Sequence, residues 1–235
     1  MGNANTNSLT VTLDEIFYND LNRASREYDA SVTDCYYYII NGGAIDDVTF
    51  TRLLTEAIDF YYAYAILKDK VTNDYVVPAI AQKYDVDPKK CLIYNSWNIP
   101  FDGSQKCVIS DIRVNTDARE TVVYESECPD AYIENVAKLK VKIDIINSII
   151  SKLNSTTLAD FAEASSAKLK QQRLDLMQQD LNNTNDFMLT FVTPKIKELG
   201  ENPETLVWTI NTSSKKFTLT KKIFSAGIIC ERCNK

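Results

Sequence analysis

The sequence predicts an α+β protein, mainly α: a helical bundle carrying small antiparallel β elements. Three stretches predict it. Tyr132, Val136, Leu139, Ile143, Ile146, Ile150 and Leu153 follow one another in steps of four and three residues. That is the seam along which a helix packs lengthwise on other helices. Residues 89–128 read instead as short β-rich runs, CLIYN, KCVISDIRV and ETVVYESEC, divided by turn signals at Asp102-Gly103 and Asn115-Thr116-Asp117. LVWTI and KFTLTKK flank Asn211-Thr212-Ser213-Ser214, and the alternation Val207/Thr209 and Phe217/Leu219 gives this hairpin one buried face.

In chain order, Thr12 and Glu15 fit a capping box for a first helix over 13–29, with Leu13, Ile16, Phe17, Leu21, Ala24 and Tyr28 on one face. CYYYII, from Cys35 to Ile40, suits a strand or a buried helical turn, and Gly42-Gly43 ends it. Asp46 or Asp47 caps a second helix whose stripe is Phe50, Leu53, Leu54, Ala57, Ile58, Tyr61 and Ala65. A third helix is expected over 76–84, with Pro78 in its first turn. Pro129 opens the long seam helix, which Ile133, Ile145 and Ile149 widen to meet more than one partner. Asn154-Ser155-Thr156-Thr157 breaks it and caps the next, helical over 157–182 and 186–199 with a bend between. The seam of that helix is half polar: Leu158, Ala162, Ser165, Leu169, Gln172, Leu176, Gln179. Such a seam implies a weaker contact, or one exchanged for a partner.

The expected organisation is therefore a flexible tail (1–12), a helical region (13–88), a cysteine-containing antiparallel β region (89–128), a long helix plus helical hairpin (129–200), and a β-hairpin with a basic CxxC tail (201–235).

Composition narrows function. At 235 residues, 45% apolar and 25% charged, the chain is ordinary globular protein. Histidine is absent, which excludes Ser-His-Asp triads, Cys-His pairs and histidine-ligated zinc. Net charge is −6, against a general nucleic-acid binder. The charge is uneven: residues 205–235 carry +5, leaving −11 on residues 1–204. No apolar run is long enough to span a membrane, and the N-terminus has no secretory core.

Met1-Gly2-Asn3-Ala4-Asn5-Thr6 fits M-G-x-x-x-[ST], so Gly2 is a candidate for myristoylation after loss of Met1. One acyl chain binds membranes only marginally, so a second signal is needed. The basic surface Lys215, Lys216, Lys221 and Lys222 is the candidate for lipid headgroups or RNA; the bland alternative is a patch docked on acidic surface of this chain or a neighbour. Cys230-Glu231-Arg232-Cys233 is a CxxC, but no helix follows it as a redox pair would need, and a zinc site would require Cys107 and Cys128 as further ligands. Cys35, Cys91, Cys107, Cys128, Cys230 and Cys233 are disulfide candidates if the compartment is oxidising; otherwise reduced thiols are the default. The acid pairs Asp14-Glu15 and Asp46-Asp47 sit where acids favour a helix dipole, so capping explains them better than catalysis. No phosphate-binding glycine loop, G-x-S-x-G or H-E-x-x-H occurs.

The N-terminal Met1-Gly2 with Thr6, the helical bundle with a small β layer, and the six cysteines together resemble the myristoylated virion membrane proteins of poxviruses. The resemblance implies a lipidated, disulfide-bearing virion component; the chain departs from that family in lacking a C-terminal membrane anchor. The expectation is a non-catalytic structural or assembly protein without a cofactor, virion- or capsid-associated and tethered through Gly2. It would be cytoplasmic, at a membrane surface or in a virion, and would bind protein partners or itself; nucleic acid is not expected. The alternatives are a soluble adaptor gripping a partner helix along 158–179, and an enzyme with a carboxylate or thiolate site.

Overall fold

The computed structural model describes residues 8–211 and 214–224. It is a mainly α, α+β fold. Helix α1 (Glu15–Ile40) is one continuous rod, so CYYYII is helix rather than strand. Its N-cap is Asp14, whose carboxylate accepts from Ile16 N at 3.0 Å and Phe17 N at 3.1 Å. The capping box on Thr12 does not form, because Leu9–Thr12 is strand β1 and Thr12 pairs with Lys106. The expected flexible tail is therefore corrected over residues 9–12. Ile16 is 73% exposed, because the buried face is set by Tyr18, Leu21 and Ala24.

A Schellman motif ends α1: Gly42 N donates to Ile39 O and Gly43 N to Tyr38 O. Gly42 sits at φ 94°, left-handed space that suits glycine. A Cβ on Gly43 would run into the Tyr38 ring.

Helix α2 (Val48–Lys70) is capped by Asp47, whose Oδ1 accepts from Phe50 N at 2.8 Å. The Tyr38 hydroxyl donates to the other carboxylate oxygen and, with the Phe50 N–H, holds the Asp47 carboxyl below the usual range. A lowered folded pKa stabilises above the unfolded value and is lost as pH falls through the folded one. Acid titration followed by circular dichroism should therefore show wild type losing stability below about pH 4 more steeply than Asp47→Asn.

After α2 the chain continues through a π turn, Val71–Val76, into α3 (Val77–Tyr84). Pro78 lacks an N–H, and its ring crowds the carbonyl four residues back, Asp74. The wider π turn there lets the rod go on. Pro194 repeats the arrangement. Helix α6 (Asp160–Phe187) passes through the π turn Met188–Val192 into α7 (Thr193–Leu199). The interruption expected between residues 182 and 186 is thus absent, and the adjustment is the π turn just before the proline. No side chain caps α6 at Ala159, although Asp160 and Glu163 favour its dipole.

The seam helix starts at α4 (Asp130–Tyr132), passes a π turn Ile133–Lys138 and becomes α5 (Leu139–Asn154). All seam residues but Tyr132 are buried, as are Ile133, Ile145 and Ile149. Ile145, Ile146 and Ile149 are fully buried among Val32, Cys35 and Ile39 of α1, Phe50, Leu54 and Ala57 of α2, and Ala162 and Leu169 of α6. Each such side chain contributes about 1.5–3 kcal/mol of transfer free energy. This four-helix contact is the first core.

The β-rich region is divided between two sheets. Strands β2 (Leu92–Asn98) and β3 (Lys106–Asn115) join β1 in the order β1-β3-β2. Strand β4 (Ala118–Glu127) leaves them and pairs with β6 (Lys216–Phe224), which also pairs with β5 (Leu206–Asn211). Residues 89–128 therefore do not form one unit, and the hairpin is a three-stranded sheet. The sequence could not show this, because strand partners are chosen by which inward face each apolar row finds. In the first sheet the register shifts between Tyr94 and Ser96 opposite Asp111, at φ 52°. That bulge turns Cys107 and Ile109 before it, and Ile112 after it, into one core. This second core joins the sheet to Tyr18 and Leu21 of α1 and to Val71, Val76 and Ile80. A third core seats Phe217 and Leu219 of the other sheet on Phe187, Val192, Ile196, Ile133 and Val136.

Candidate functional site

Gly2, Cys230 and Cys233 lie outside the described residues. The other four cysteines are free and buried, with Cys35 in the first core, Cys107 in the second and Cys128 in the third. They form no disulfide, and the structure does not bring Cys107 and Cys128 together as metal ligands. Among the described residues no group of three or more His, Cys, Asp or Glu is placed to hold a metal ion. Burial, with a smaller push from Asp34, raises the Cys35 thiol to about 12; burial alone raises Cys107 to about 11. Burial also raises Cys91 and Cys128. Thiols held protonated are poor nucleophiles. Iodoacetamide labelling with peptide mapping should leave all four unmodified in native protein and alkylate all four in denaturant; fast native labelling at Cys35 or Cys107 would contradict this burial.

Each lysine of the expected basic surface meets an acid of this chain. Lys215 pairs with Asp130 at 3.1 Å, Lys216 with Glu125 at 2.6 Å, Lys221 with Glu201 at 2.5 Å and Lys222 with Glu120 at 3.4 Å. Strand β4 supplies two of those acids, so sheet pairing itself places negative charge beside the lysines. Such surface pairs are worth about 0–1 kcal/mol each. Their importance is electrostatic: the charge of these four lysines is answered locally, as the bland alternative anticipated. Asp14 and Asp47 are helix caps, also as anticipated.

Two adjoining depressions, of about 620 and 720 Å³, share Tyr64 and Phe101. The first lies between α2 and β2 and is lined by Lys68, Thr72, Asn95 and Trp97. Trp97 Nε1 donates to Thr72 Oγ1 at 3.2 Å, and Lys68 Nζ sits 5.5 Å from the Tyr64 ring and 5.9 Å from that of Trp97. The second runs along α1 past Asn22, Arg26, Asp29 and Thr33. Phe101 (φ 53°) and Gln105 (φ 58°) are held in left-handed conformations, and Gly103 N of their loop donates to the Tyr18 hydroxyl at 2.9 Å. The cleft offers amides, hydroxyls, aromatic faces and charges of both signs. It places no thiol beside a base. A smaller, largely apolar slot of about 300 Å³ lies between α7 and the β5–β6 hairpin, lined by Ile196, Leu206, Trp208 and Leu219.

Helix α6 holds the feature that sequence reasoning missed. Its half-polar seam faces this chain's own core: Ala162, Ser165 and Leu169 are buried, and Leu158 and Leu176 pack on the first core. From Leu158 to Leu176 the seam is thus not open for a partner helix, while Gln179 is exposed. Farther along the same inward side, Gln172 Oε1, Arg173 Nε, Asp180 Oδ1 and Thr184 Oγ1 are buried without a hydrogen-bond partner. Leu174, Met177 and Leu181 are 51%, 49% and 54% exposed on the other side. Over 172–184 the helix thus turns these four polar atoms inward beside Leu176, and Leu174, Met177 and Leu181 outward. The available signal was a second 3,4-spaced row, out of phase with the first. Compared with family models, curated proteins and solved structures, the chain matches none.

Proposed function

We propose that this chain is a non-catalytic structural or assembly protein that acts by binding other protein surfaces through α6. The single observation that carries this is the outward row Leu174, Met177 and Leu181 on a helix whose inward contacts leave polar atoms unpaired. Isolated exposed leucines are ordinary; an aligned row on one helix face is what a partner helix packs against. Support comes also from chemistry already engaged elsewhere: thiols raised by burial, and acids occupied in caps and lysine pairs. A measured turnover by the purified chain would sink the non-catalytic reading.

Within the same proposal, the chain is a virion or capsid-associated component tethered peripherally through a myristoylated Gly2. The M-G-x-x-x-[ST] pattern motivates this, and no helix among the described residues is long and apolar enough to cross a membrane. Because the four lysines are internally paired, the acyl chain would work with a protein-bound second signal rather than a basic patch. The test is an intact mass of protein from its source, with flotation on neutral and anionic vesicles. Loss of Met1 with one added myristoyl group and flotation insensitive to lipid charge supports this mode of tethering; a retained, unacylated Met1 removes it and leaves the assembly reading standing.

A further inference from the structure

We propose that the groove between the edge of strand β2 and helix α2 takes an extended segment of another protein as a fourth strand, and reads an acidic and an apolar side chain two residues apart on it. This face is separate from α6, and the proposal stands apart from the assembly reading above. The sheet order β1-β3-β2 leaves β2 at an edge, paired with β3 alone. Among the described residues, no hydrogen bond reaches the β2 main chain from any segment other than β3. Asn95, Ser96, Trp97, Asn98 and Ile99 all line the groove, whose volume is about 620 Å³. Side chains of a strand alternate between its two faces, so five successive residues share one groove when it runs along the edge. Unpaired main-chain donors and acceptors along such an edge are matched by another extended main chain.

The opposite wall is helical and supplies the side-chain recognition. Tyr64, Lys68 and Thr72 follow in steps of four, so one face of α2 and of the π turn after it lies along the groove. Lys68 Nζ stands 5.5 Å from the Tyr64 ring and 5.9 Å from that of Trp97. Among the described residues no carboxylate forms an ion pair with it, Asp69 on the same wall included. An ammonium held at two ring faces without a counter-ion is complementary to an acidic side chain of the partner. Tyr64 lies about 6 Å before Lys68 along the helix, and with Phe101 it forms the end of the groove that adjoins the second depression. Alternate side chains of a strand are about 6.6 Å apart. A segment with its acid at Lys68 therefore sets a residue two positions away against Tyr64 and Phe101, where an apolar side chain fits.

A second copy of this sheet does not suit the groove. The register of β2 shifts between Tyr94 and Ser96, and α2 stands beside the edge. A bulge and a covering helix both oppose flat pairing between whole sheets. A single extended segment brings no second layer with it.

Pools of end-blocked peptides passed over the immobilised full chain test this. Each peptide carries glutamate and leucine two positions apart, in either order, with the other positions randomised; a matching pool has lysine in place of glutamate. The expected result is retention of the glutamate pool and not the lysine pool. The best peptide should bind Lys68→Glu at least tenfold more weakly, with no change in melting temperature because Lys68 is exposed. Lys68→Glu should retain the lysine pool instead. N-methylation of every second peptide amide should abolish binding in one phase and spare it in the other, as strand pairing requires, and hydrogen exchange of the chain should slow over residues 95–99. No retention of the glutamate pool, preference of the unaltered chain for the lysine pool, or binding indifferent to Lys68→Glu overturns the inference. Binding that tolerates N-methylation in both phases overturns strand addition. Protection that appears on α6 and not on β2 overturns the site and assigns the peptide to the assembly surface.

Discussion

Replacing Phe187 with alanine is expected to cost about 3–5 kcal/mol and to lower the melting temperature by on the order of 10 °C. Phe187 is fully buried and stands at the meeting point of the third core. Its ring centroid is 4.6 Å from that of Tyr132, 5.2 Å from Phe191, 5.3 Å from Trp208 and 5.7 Å from Phe217. The Trp208 and Phe217 contacts are edge-on, a geometry aromatic rings prefer, and such pairs add about 0.5–1.5 kcal/mol beyond area. Truncation removes all four contacts and leaves a cavity between the end of α6 and the β4-β6-β5 sheet. Urea unfolding would measure the loss. Hydrogen exchange should rise first in β5 and β6, because Phe187 and its neighbours hold that sheet to the helices. A cost below about 1 kcal/mol would mean that the third core does not depend on this ring.

Ile149→Ala should cost about 2–5 kcal/mol, measured in the same urea experiment. Ile149 is fully buried in the four-helix core, where α5 meets α1, α2 and α6 at once. Four packed helices collapse poorly around a hole, so much of the removed volume should persist as cavity. Ile16→Ala is the internal comparison. Sequence periodicity put Ile16 on the packed face of the first helix, yet it is 73% exposed. Its truncation should change stability by no more than about 0.5 kcal/mol. Equal costs for the two substitutions would contradict either the burial of Ile149 or the exposure of Ile16.

The long seam was legible because its buried residues recur along one helix face, and a helix fixes that geometry within itself. The caps at Asp14 and Asp47 followed from local chemistry of the same kind, although the first was misplaced by two residues onto Thr12. That error has a tertiary cause: residues 9–12 are drawn into a strand by β3, more than ninety residues away in sequence. The join of CYYYII to α1 was also beyond local reading, since a short apolar run has no decisive period. Pro129 caps the seam helix as the sequence expected, whereas Pro78 and Pro194 each follow a π turn that lets the rod continue.

Of the candidate sites, the lysines and cysteines were found as residue types but not as environments. Four lysines in one segment imply an open basic surface until β4, brought over from residues 118–127, places Glu120 and Glu125 beside them. The cysteines were disulfide candidates only as residue types; in the fold three separate cores claim Cys35, Cys107 and Cys128.

By itself the sequence determined the fold class, the packed face of the long helix, the Asp47 cap of the second helix and the exclusion of imidazole chemistry. These depend on interactions within a few residues, or on composition alone. The tertiary structure decided the sharing of strands between two sheets, the neutralisation of the basic hairpin and the outward face of α6. Each of those turns on which distant surface a segment meets, and the free energy of that choice belongs to the pair of surfaces rather than to either one.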